Sequence, residues 1–245
     1  MGMIIFCMRQ SISMEYKYCE NENFEDLSSG RVLYGGGGVP NFPVRLGNEI
    51  YRRCTAYFPG KDRFTVYDPC CGGGYLLTVL GFCNHNITRI LASDISDEMV
   101  SIAARNLALL TGAGLIRRKQ ELESLFRQYQ KSSHREALNS VERLLRLLSR
   151  DIPSAIFTAD CTGNIPLEEA PDIIITDVPY GSLAAWKRDP ADSLQAMYQQ
   201  LSRIARPDTI LAVIADRKQK CQGGTWSRLE KQMIGKRKFE IYRLC

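Results

Sequence analysis

Short apolar segments rich in β-branched residues recur along the chain and alternate with segments of helical periodicity. This alternation is typical of a mostly parallel sheet that is covered by helices on both faces. Strands are predicted at 30–34, 64–68, 88–94, 154–160, 172–177, 209–215 and 238–243. Helices are predicted at 43–58, 75–82, 97–110 and 191–205. The sequence therefore predicts the α/β class, with a doubly wound, mostly parallel, Rossmann-like sheet.

One segment, residues 115–150, interrupts this alternation. Its apolar residues keep helical spacing in two runs, which predicts a pair of helices inserted into the fold. The segment carries nine Lys or Arg residues and four Glu residues. Two interpretations stay open, a solvated helical surface or a surface that grips nucleic acid. We expect residues 1–245 to form a single domain. Met14 is a candidate start, which would make residues 1–13 a dispensable leader.

Composition narrows the class of protein. The chain has a net charge of +5 at pH 7, and no apolar run reaches the roughly 18 residues of a membrane span. The N terminus has no secretory signal, so a cytoplasmic location without a membrane partner is expected. The nine cysteines form no C-x-x-C pair, and both histidines lie far from any cysteine cluster. No metal site is therefore expected, and Cys70 and Cys71 are predicted to be quiet thiols that line a pocket.

The stretch VYDPCCGGGYLL, residues 66–77, places a glycine-rich turn between a strand and a helix. Such turns present backbone N–H groups and let a ligand approach closely. Gly72 and Gly74 fit the start of the dinucleotide fingerprint G-x-G-x-x-G/A, but Leu77 occupies its last position. Asp68 ends the strand four positions before Gly72. This acidic strand end is typical of methyltransferases that bind S-adenosylmethionine, where a carboxylate accepts from the ammonium group of the cofactor.

Two further acids end the following strands. Asp94, 26 residues after Asp68, would accept both ribose hydroxyls of the cofactor, and Asp160 would accept from the adenine amine. Each acid alone is also compatible with a helix N-cap or a loop. Because ligands of open α/β sheets bind at the carboxyl ends of the strands, the shared position of the three acids favours a site for S-adenosylmethionine.

A fourth strand ends in ITDVPYG, which contains Asp177, Val178, Pro179 and Tyr180. The segment resembles the Asp/Asn-Pro-Pro-Tyr motif of methyltransferases that modify planar amine nitrogens, with Val178 in place of the first proline. In this interpretation the Asp177 side chain and the Val178 carbonyl accept the N–H protons of the amine, and Tyr180 stacks on the flipped base. Pro179 keeps Val178 extended. The alternative is an ordinary Asp-x-Pro turn after a strand.

Several stretches together resemble the avilamycin-resistance 23S rRNA methyltransferases (AviRa-like). They are FPVRL, DPCCGGGYLLTVLG, ASD, ARNLALL, TDVPYG with the following Trp186, and ADRKQK, so the similarity runs from about Phe42 to the C terminus. The resemblance implies a Rossmann-like enzyme that transfers a methyl group from S-adenosylmethionine to a guanosine of 23S rRNA. It also implies protection of the ribosome from an orthosomycin antibiotic, and a place for Cys70 in the cofactor loop.

The C-terminal stretch favours an RNA substrate. Residues 203–243 carry eleven Lys or Arg residues against four acids, an excess that would neutralise phosphates without reading sequence. The expected partner is 23S rRNA or the large ribosomal subunit, and a monomer is expected. The alternatives are an adenine-N6 methyltransferase acting on DNA or RNA, a small-molecule or protein-glutamine methyltransferase, and a non-catalytic RNA-binding protein.

Overall fold

A seven-stranded sheet forms the centre of the protein. The computed structural model describes residues 14–27, 31–35, 42–179, 186, 189–220 and 224–245. The strands are β1 (Phe64–Asp68), β2 (Ile87–Asp94), β3 (Ser154–Thr158), β4 (Ile173–Asp177), β5 (Ile210–Asp216), β6 (Trp226–Ile234) and β7 (Arg237–Leu244). Their order in the sheet is β3-β2-β1-β4-β5-β7-β6. Strands β1 to β5 pair in parallel, whereas β7 is antiparallel to β5 and to β6. The predicted mostly parallel sheet is confirmed.

Helices cover both faces of this sheet. In the described ranges they are α1 (Val44–Thr55), α2 (Tyr75–Cys83), α3 (Asp97–Ala108), α4 (Gly112–Tyr129), α5 (Ser132–Leu147) and α6 (Pro190–Ile204). Alternate residues of the strands face opposite ways and enter two separate buried clusters. Val66 belongs to the cluster that contains buried residues of α1 to α5, while its neighbour Tyr67 belongs to the cluster that contains buried residues of α6. The sheet is therefore doubly wound, as predicted.

The strand predictions are confirmed with two differences. The bounds of six strands deviate from prediction by at most two residues. The prediction misses β6, because most of its side chains are exposed and charged residues interrupt its apolar pattern. The predicted strand at 30–34 is reduced to a single bridging residue, Leu33. The adjoining residues 28–30 and 36–41 lie outside the described ranges, as does the predicted leader 1–13.

The inserted helical pair is confirmed as α4 and α5. The Thr111 hydroxyl accepts from the N–H of Gly114 at 3.0 Å and caps the start of α4, which begins three residues before the predicted bound. Its end is a left-handed residue, Gln130, with φ of 50°. Leu115 and Val141 are among the apolar residues that bury one face of the pair in the first cluster. The insertion therefore extends the core and is not an independent unit.

No single helix of the described ranges is long and apolar enough to cross a membrane. Helices α3 and α4 pass that test only as a pair, by length and composition, and they are bent by 103° at their junction.

The N-terminal segment 14–27 is held by one buried carboxylate, that of Glu49 on α1. The backbone N–H groups of residues 17–19 all donate to it at 2.9 Å. The guanidinium of Arg53 donates to Glu49 at 2.7 Å and also pairs with Glu230 of β6. Burial acts to raise the pKa of Glu49, but these hydrogen bonds outweigh it and the pKa is lowered. Glu49 and Arg53 thus join the N-terminal segment and the edge strand to α1.

We predict that Glu49→Gln lowers the free energy of unfolding by about 3 kcal/mol, because the buried Arg53 guanidinium would lose its carboxylate partner. Urea unfolding followed by circular dichroism measures the change. The exposed Glu20 provides a control, since Glu20→Gln should change the free energy by less than about 0.5 kcal/mol.

The pH dependence distinguishes the ion pair from a packing effect. Because the folded pKa of Glu49 is lowered, its contribution is present above the unfolded pKa and is lost as pH falls through the folded pKa. The gap between wild type and Glu49→Gln should therefore shrink below about pH 4. A gap that is constant from pH 7 to pH 3 would contradict the assignment.

Candidate active site

The loop between β1 and α2 is shaped by its glycines. Gly72 and Gly74 have φ of 51° and 73°, in the left-handed region that favours glycine. A Cβ atom on Gly74 would lie 2.9 Å from Cβ and 3.0 Å from Cα of Ala103 on α3. Only glycine therefore lets α2 start this close to α3. The side of Gly72 is open, since a Cβ there would meet no atom within 4 Å.

Asp94 at the end of β2 holds this loop. Its Oδ2 accepts from the N–H of Gly72 at 2.8 Å, and its Oδ1 accepts from the N–H of Ser96 at 3.0 Å. A second hydrogen bond joins the loop to β2, since the N–H of Cys71 donates to the carbonyl of Ser93 at 2.9 Å. Each carboxylate oxygen of Asp94 keeps a further lone pair. Asp94, which is predicted to bind the ribose of the cofactor, therefore also stabilises the glycine loop.

Asp68 at the end of β1 is a buried carboxyl, with 2% of its surface exposed. It accepts from the N–H of Cys70 at 2.9 Å. Burial raises the pKa of Asp68 to about 7, and the negative charges of Asp94 and Asp177 add to this rise. The structure therefore brings these three predicted acids close enough to sense one another's charge.

Asp177 ends β4 and lies beside β5. It pairs in register with Ile214, and the N–H of the next residue, Val178, donates to the carbonyl of Ile214 at 3.0 Å. Val178 is buried, whereas Asp177 and Pro179 are partly exposed at the carboxyl edge of the sheet. Tyr180, the stacking residue of the prediction, lies outside the described residues.

Asp160 follows β3 and closes a turn. Its Oδ1 accepts from the N–H of Thr162 at 2.9 Å and from the Thr162 hydroxyl at 2.6 Å. The strand predicted to reach residue 160 ends at Thr158 because this turn begins there. Asp160 is partly exposed and lies at the end of the strand next to that of Asp94. All four predicted acids therefore share one edge of the sheet.

The cysteines of the loop have packing contacts. The Cys70 thiol donates to the sulfur of Cys161 at 3.4 Å. This hydrogen bond and burial raise the pKa of Cys70, and burial raises that of Cys71. Low thiolate content makes both thiols poor nucleophiles. In the described part of the chain, no three Cys, His, Asp or Glu residues form a group that could hold a metal ion.

Asn106 on α3 is a site residue that the sequence prediction misses. Its amide donates to the carbonyl of Gly73 at 2.8 Å and to that of Tyr34 at 3.0 Å, and its Oδ1 accepts from the Tyr34 N–H at 2.8 Å. The side chain is fully buried. Asn106 thus ties the N-terminal segment to the glycine loop. In the sequence, the one feature that could have indicated this role is a polar amide side chain at an apolar-face position of the predicted helix 97–110.

The edge as a whole has a defined chemistry. Four carboxyl groups lie along the edge of the sheet that also carries the open glycine loop, an arrangement that suits a ligand with positive charge and several hydroxyl or amine donors.

Comparisons with known proteins agree with this chemistry. The family model described as rRNA methyltransferase AviRa matches residues 14–237. A curated relative from Streptomyces viridochromogenes, named 23S rRNA (guanine(2535)-N(1))-methyltransferase, is 36% identical over 234 residues, which cover 91% of this chain and 93% of the relative.

Solved structures give the same picture of the fold. The rRNA methyltransferase aviRa from Streptomyces viridochromogenes superposes with a TM-score of 0.85 at 35% identity, covering 94% of this chain and 96% of that one. TrmN from Thermus thermophilus superposes with a TM-score of 0.51 at 13% identity, covering 83% of this chain and 49% of that one. The second similarity shows the fold alone.

We predict that Asp68→Asn stabilises the protein at pH 8 more than at pH 5. The folded pKa of about 7 exceeds the unfolded value of about 3.9, so stability falls as pH rises between the two values and ionised Asp68 is a cost above them. A shift of this size corresponds to about 4 kcal/mol as an upper bound. The asparagine oxygen can still accept from Cys70, so the fold is retained. Urea unfolding of both proteins from pH 4 to pH 8 measures the difference, and parallel pH profiles would contradict it.

Proposed function

This chain belongs to the AviRa family of rRNA methyltransferases, and from that membership we propose that it methylates a ring nitrogen of a guanosine in 23S rRNA. The methyl donor is S-adenosylmethionine, the cofactor implied by the family and the fold. The relative from Streptomyces viridochromogenes is named for N1 of guanine 2535, which makes the equivalent N1 the proposed target atom. The proposed consequence is protection of the ribosome from orthosomycin antibiotics such as avilamycin. The observation that carries the proposal is the gathering of Asp68, Asp94 and Asp177 around the Gly72 loop.

The residues of this edge fit the cofactor. S-adenosylmethionine carries an ammonium group and a sulfonium centre, and when bound it supplies an electrophilic methyl group. Asp68 and Asp94 would balance those positive charges, which would relieve the repulsion that raises the pKa of Asp68. Asp94 would use its remaining lone pairs for the ribose hydroxyls, and Asp160 would accept from the adenine amine. The open side of Gly72 would leave room for the chain of the cofactor.

Asp177 is the proposed catalytic residue. The N1–H and the exocyclic amine of guanine lie side by side on one edge of the base, and one carboxylate can accept from both. When N1 of guanine receives the methyl group it must lose its proton, and the Asp177 carboxylate would accept that proton. Val178 and Pro179 would position the Asp177 carboxylate, because the Val178 N–H donates a hydrogen bond to the Ile214 carbonyl of β5. The stacking role of Tyr180 rests on its place in the motif. Positioning supplies most of the catalysis when the methyl group is already electrophilic.

The first test concerns Asp94. Loss of about two charge-assisted hydrogen bonds, each worth roughly 1.5–3 kcal/mol, should weaken binding of S-adenosylhomocysteine to Asp94→Ala, as measured by calorimetry. Because Asp94 also anchors Gly72, the 2′-deoxy analogue separates the two roles. We predict that removing the 2′-hydroxyl weakens binding to wild type but has little effect on the variant. An equal loss in both proteins would assign Asp94 to the loop alone.

The second test concerns Asp177 and the reaction itself. Single-turnover methylation of unmodified 23S rRNA, with the product mapped by mass spectrometry, should show N1-methylguanosine. Asp177→Asn should lower the rate by about 10²–10³-fold, because a preorganised proton acceptor is lost, and should leave the cofactor Kd near that of wild type. The exposed Asp62, on the opposite edge, supplies the control Asp62→Asn, with an unchanged rate. A fully active Asp177→Asn enzyme would move the chemistry away from β4, and a methylated exocyclic amine would replace the proposed target atom.

A further inference from the structure

At least four of the nine Lys and Arg residues at positions 115–150 make side-chain contacts within the protein. The Arg118 guanidinium donates to the Val32 carbonyl at 2.8 Å and pairs with Glu121 at 2.9 Å. Lys119 pairs with Glu142 at 2.9 Å. Two further cations of residues 115–150 make contacts as well: Arg143 of α5 pairs with Asp26, and Arg150, just after α5, donates to the carbonyls of His85 and Ile87. For these four residues the contacts favour the structural interpretation over a grip on nucleic acid.

Much of the C-terminal positive charge is committed in the same way. Arg206 pairs with the buried Asp172 at the opposite, amino-terminal edge of the sheet. The buried Glu240 of β7 forms salt bridges with three cations, Arg228, Lys231 and Lys238. Arg243 donates to the carbonyl of Tyr57 at 3.2 Å. A count along the sequence therefore overstates the charge that remains available to a ligand.

Four exposed cations remain at one place, and we name Arg217, Lys218, Lys220 and Lys236 the rim cluster. Among the described residues none pairs with the side chains of these four. Their backbone is fixed by the fold, since the N–H of Arg217 donates to the carbonyl of Lys236 at 2.8 Å. The N–H of Lys218 donates to Asp216 at 2.8 Å. The turn after β5 and the turn before β7 are thus joined into one basic surface.

The rim cluster lies beside Asp177. Asp177 pairs with Ile214 of β5, and β5 ends two residues later at Asp216. Two residues span roughly 7 Å along a strand, and neighbouring strands lie about 4.8 Å apart. Arg217, the first residue of the cluster, follows Ile214 by three residues, so its backbone lies about 11 Å from that of the proposed catalytic residue. The helical pair follows α3 and leads into β3, which is separated from β5 in the sheet by β2, β1 and β4.

We propose that the rim cluster is the surface on which the backbone phosphates of the rRNA substrate bind, an inference that rests on the proposed function. Free cations beside the reacting strand end would neutralise phosphates flanking the target nucleotide and place its base over Asp177. In this arrangement the acidic edge and the rim cluster bind different ligands. The acidic edge suits the cationic cofactor, and the basic rim suits the anionic RNA.

The test compares two triple variants that remove equal charge. The rim triple is Arg217→Gln, Lys218→Gln and Lys236→Gln. The matched control, on exposed residues of the helical pair, is Arg127→Gln, Lys131→Gln and Arg135→Gln. Binding of unmodified 23S rRNA is measured by filter binding with S-adenosylhomocysteine present, from 50 to 300 mM KCl. Thermal unfolding and cofactor calorimetry check that both variants fold and keep the cofactor site.

The rim triple should bind rRNA more weakly, and its slope of log affinity against log salt should become shallower by about 2, at roughly 0.7–0.9 per lost phosphate contact. The control should keep the wild-type slope. The pair Lys218→Arg and Lys236→Arg keeps the charge and should keep the slope too, which separates charge from local structure.

The other outcomes are distinct. A flattened slope in the control triple with a wild-type slope in the rim triple would assign the RNA to the helical pair and overturn the inference. Unchanged slopes in both triples would overturn it as well. In either case wild-type enzyme still methylates rRNA, so the proposed function stands. Failure of wild type to bind or methylate rRNA would instead contradict the proposed function.

Discussion

The parallel pairing of β1 with its neighbours β2 and β4 is the constraint from which the site follows. Asp68 lies in register with Ala92 of β2, and Tyr67 with Ile174 of β4, so the ends of three strands reach the same edge of the sheet. Each chain reversal at that edge then carries an acid. The bond from Gly72 to Asp94 converts this alignment into a shaped loop, because it fixes the glycine turn to the end of the next strand. A slip of one residue in either pair would turn these side chains to the other face.

Concentrating acids at one edge has an energetic consequence, because burial and the neighbouring charges disfavour the ionised form of Asp68. Within the described residues, the buried Asp68 accepts from the N–H of Cys70 and has no Lys or Arg partner, whereas Arg53 and three N–H groups stabilise Glu49 as a carboxylate. The pKa of Asp68 is raised and that of Glu49 is lowered, although both are buried. The difference fits a structural role for Glu49 and the proposed ligand-binding role for Asp68. Active sites commonly hold such unbalanced charge, and a cationic ligand relieves it.

The sequence predicts the parts of this molecule that depend on local pattern. Strands β1, β4 and β5 are buried and mostly apolar, as is the second half of β2, so these strands and their terminal acids are predictable. Strand β6 is half-exposed at the edge of the sheet and has no such run. The bonds of Asn106 to Gly73 and Tyr34 join segments far apart in the chain, so no local pattern indicates them. The second role of Asp94, as anchor of the loop, escapes prediction for the same reason.

The charge that a surface presents to a ligand is the property that counts along the sequence predict least well. Residues 115–150 carry an excess of positive charge in the sequence, and part of that charge pairs with an acid far away in the chain, since Asp26 binds Arg143 across 117 positions. Conversely, Lys218 and Lys236 are 18 residues apart in the chain, but the hydrogen bond between Arg217 and Lys236 brings their turns together. A phosphate senses only the charges that remain unpaired at a surface, because paired charges are already screened by their partners. The surface available to RNA is therefore a property of the tertiary fold, and it lies at the same edge as the acids because β5 and β7 end there.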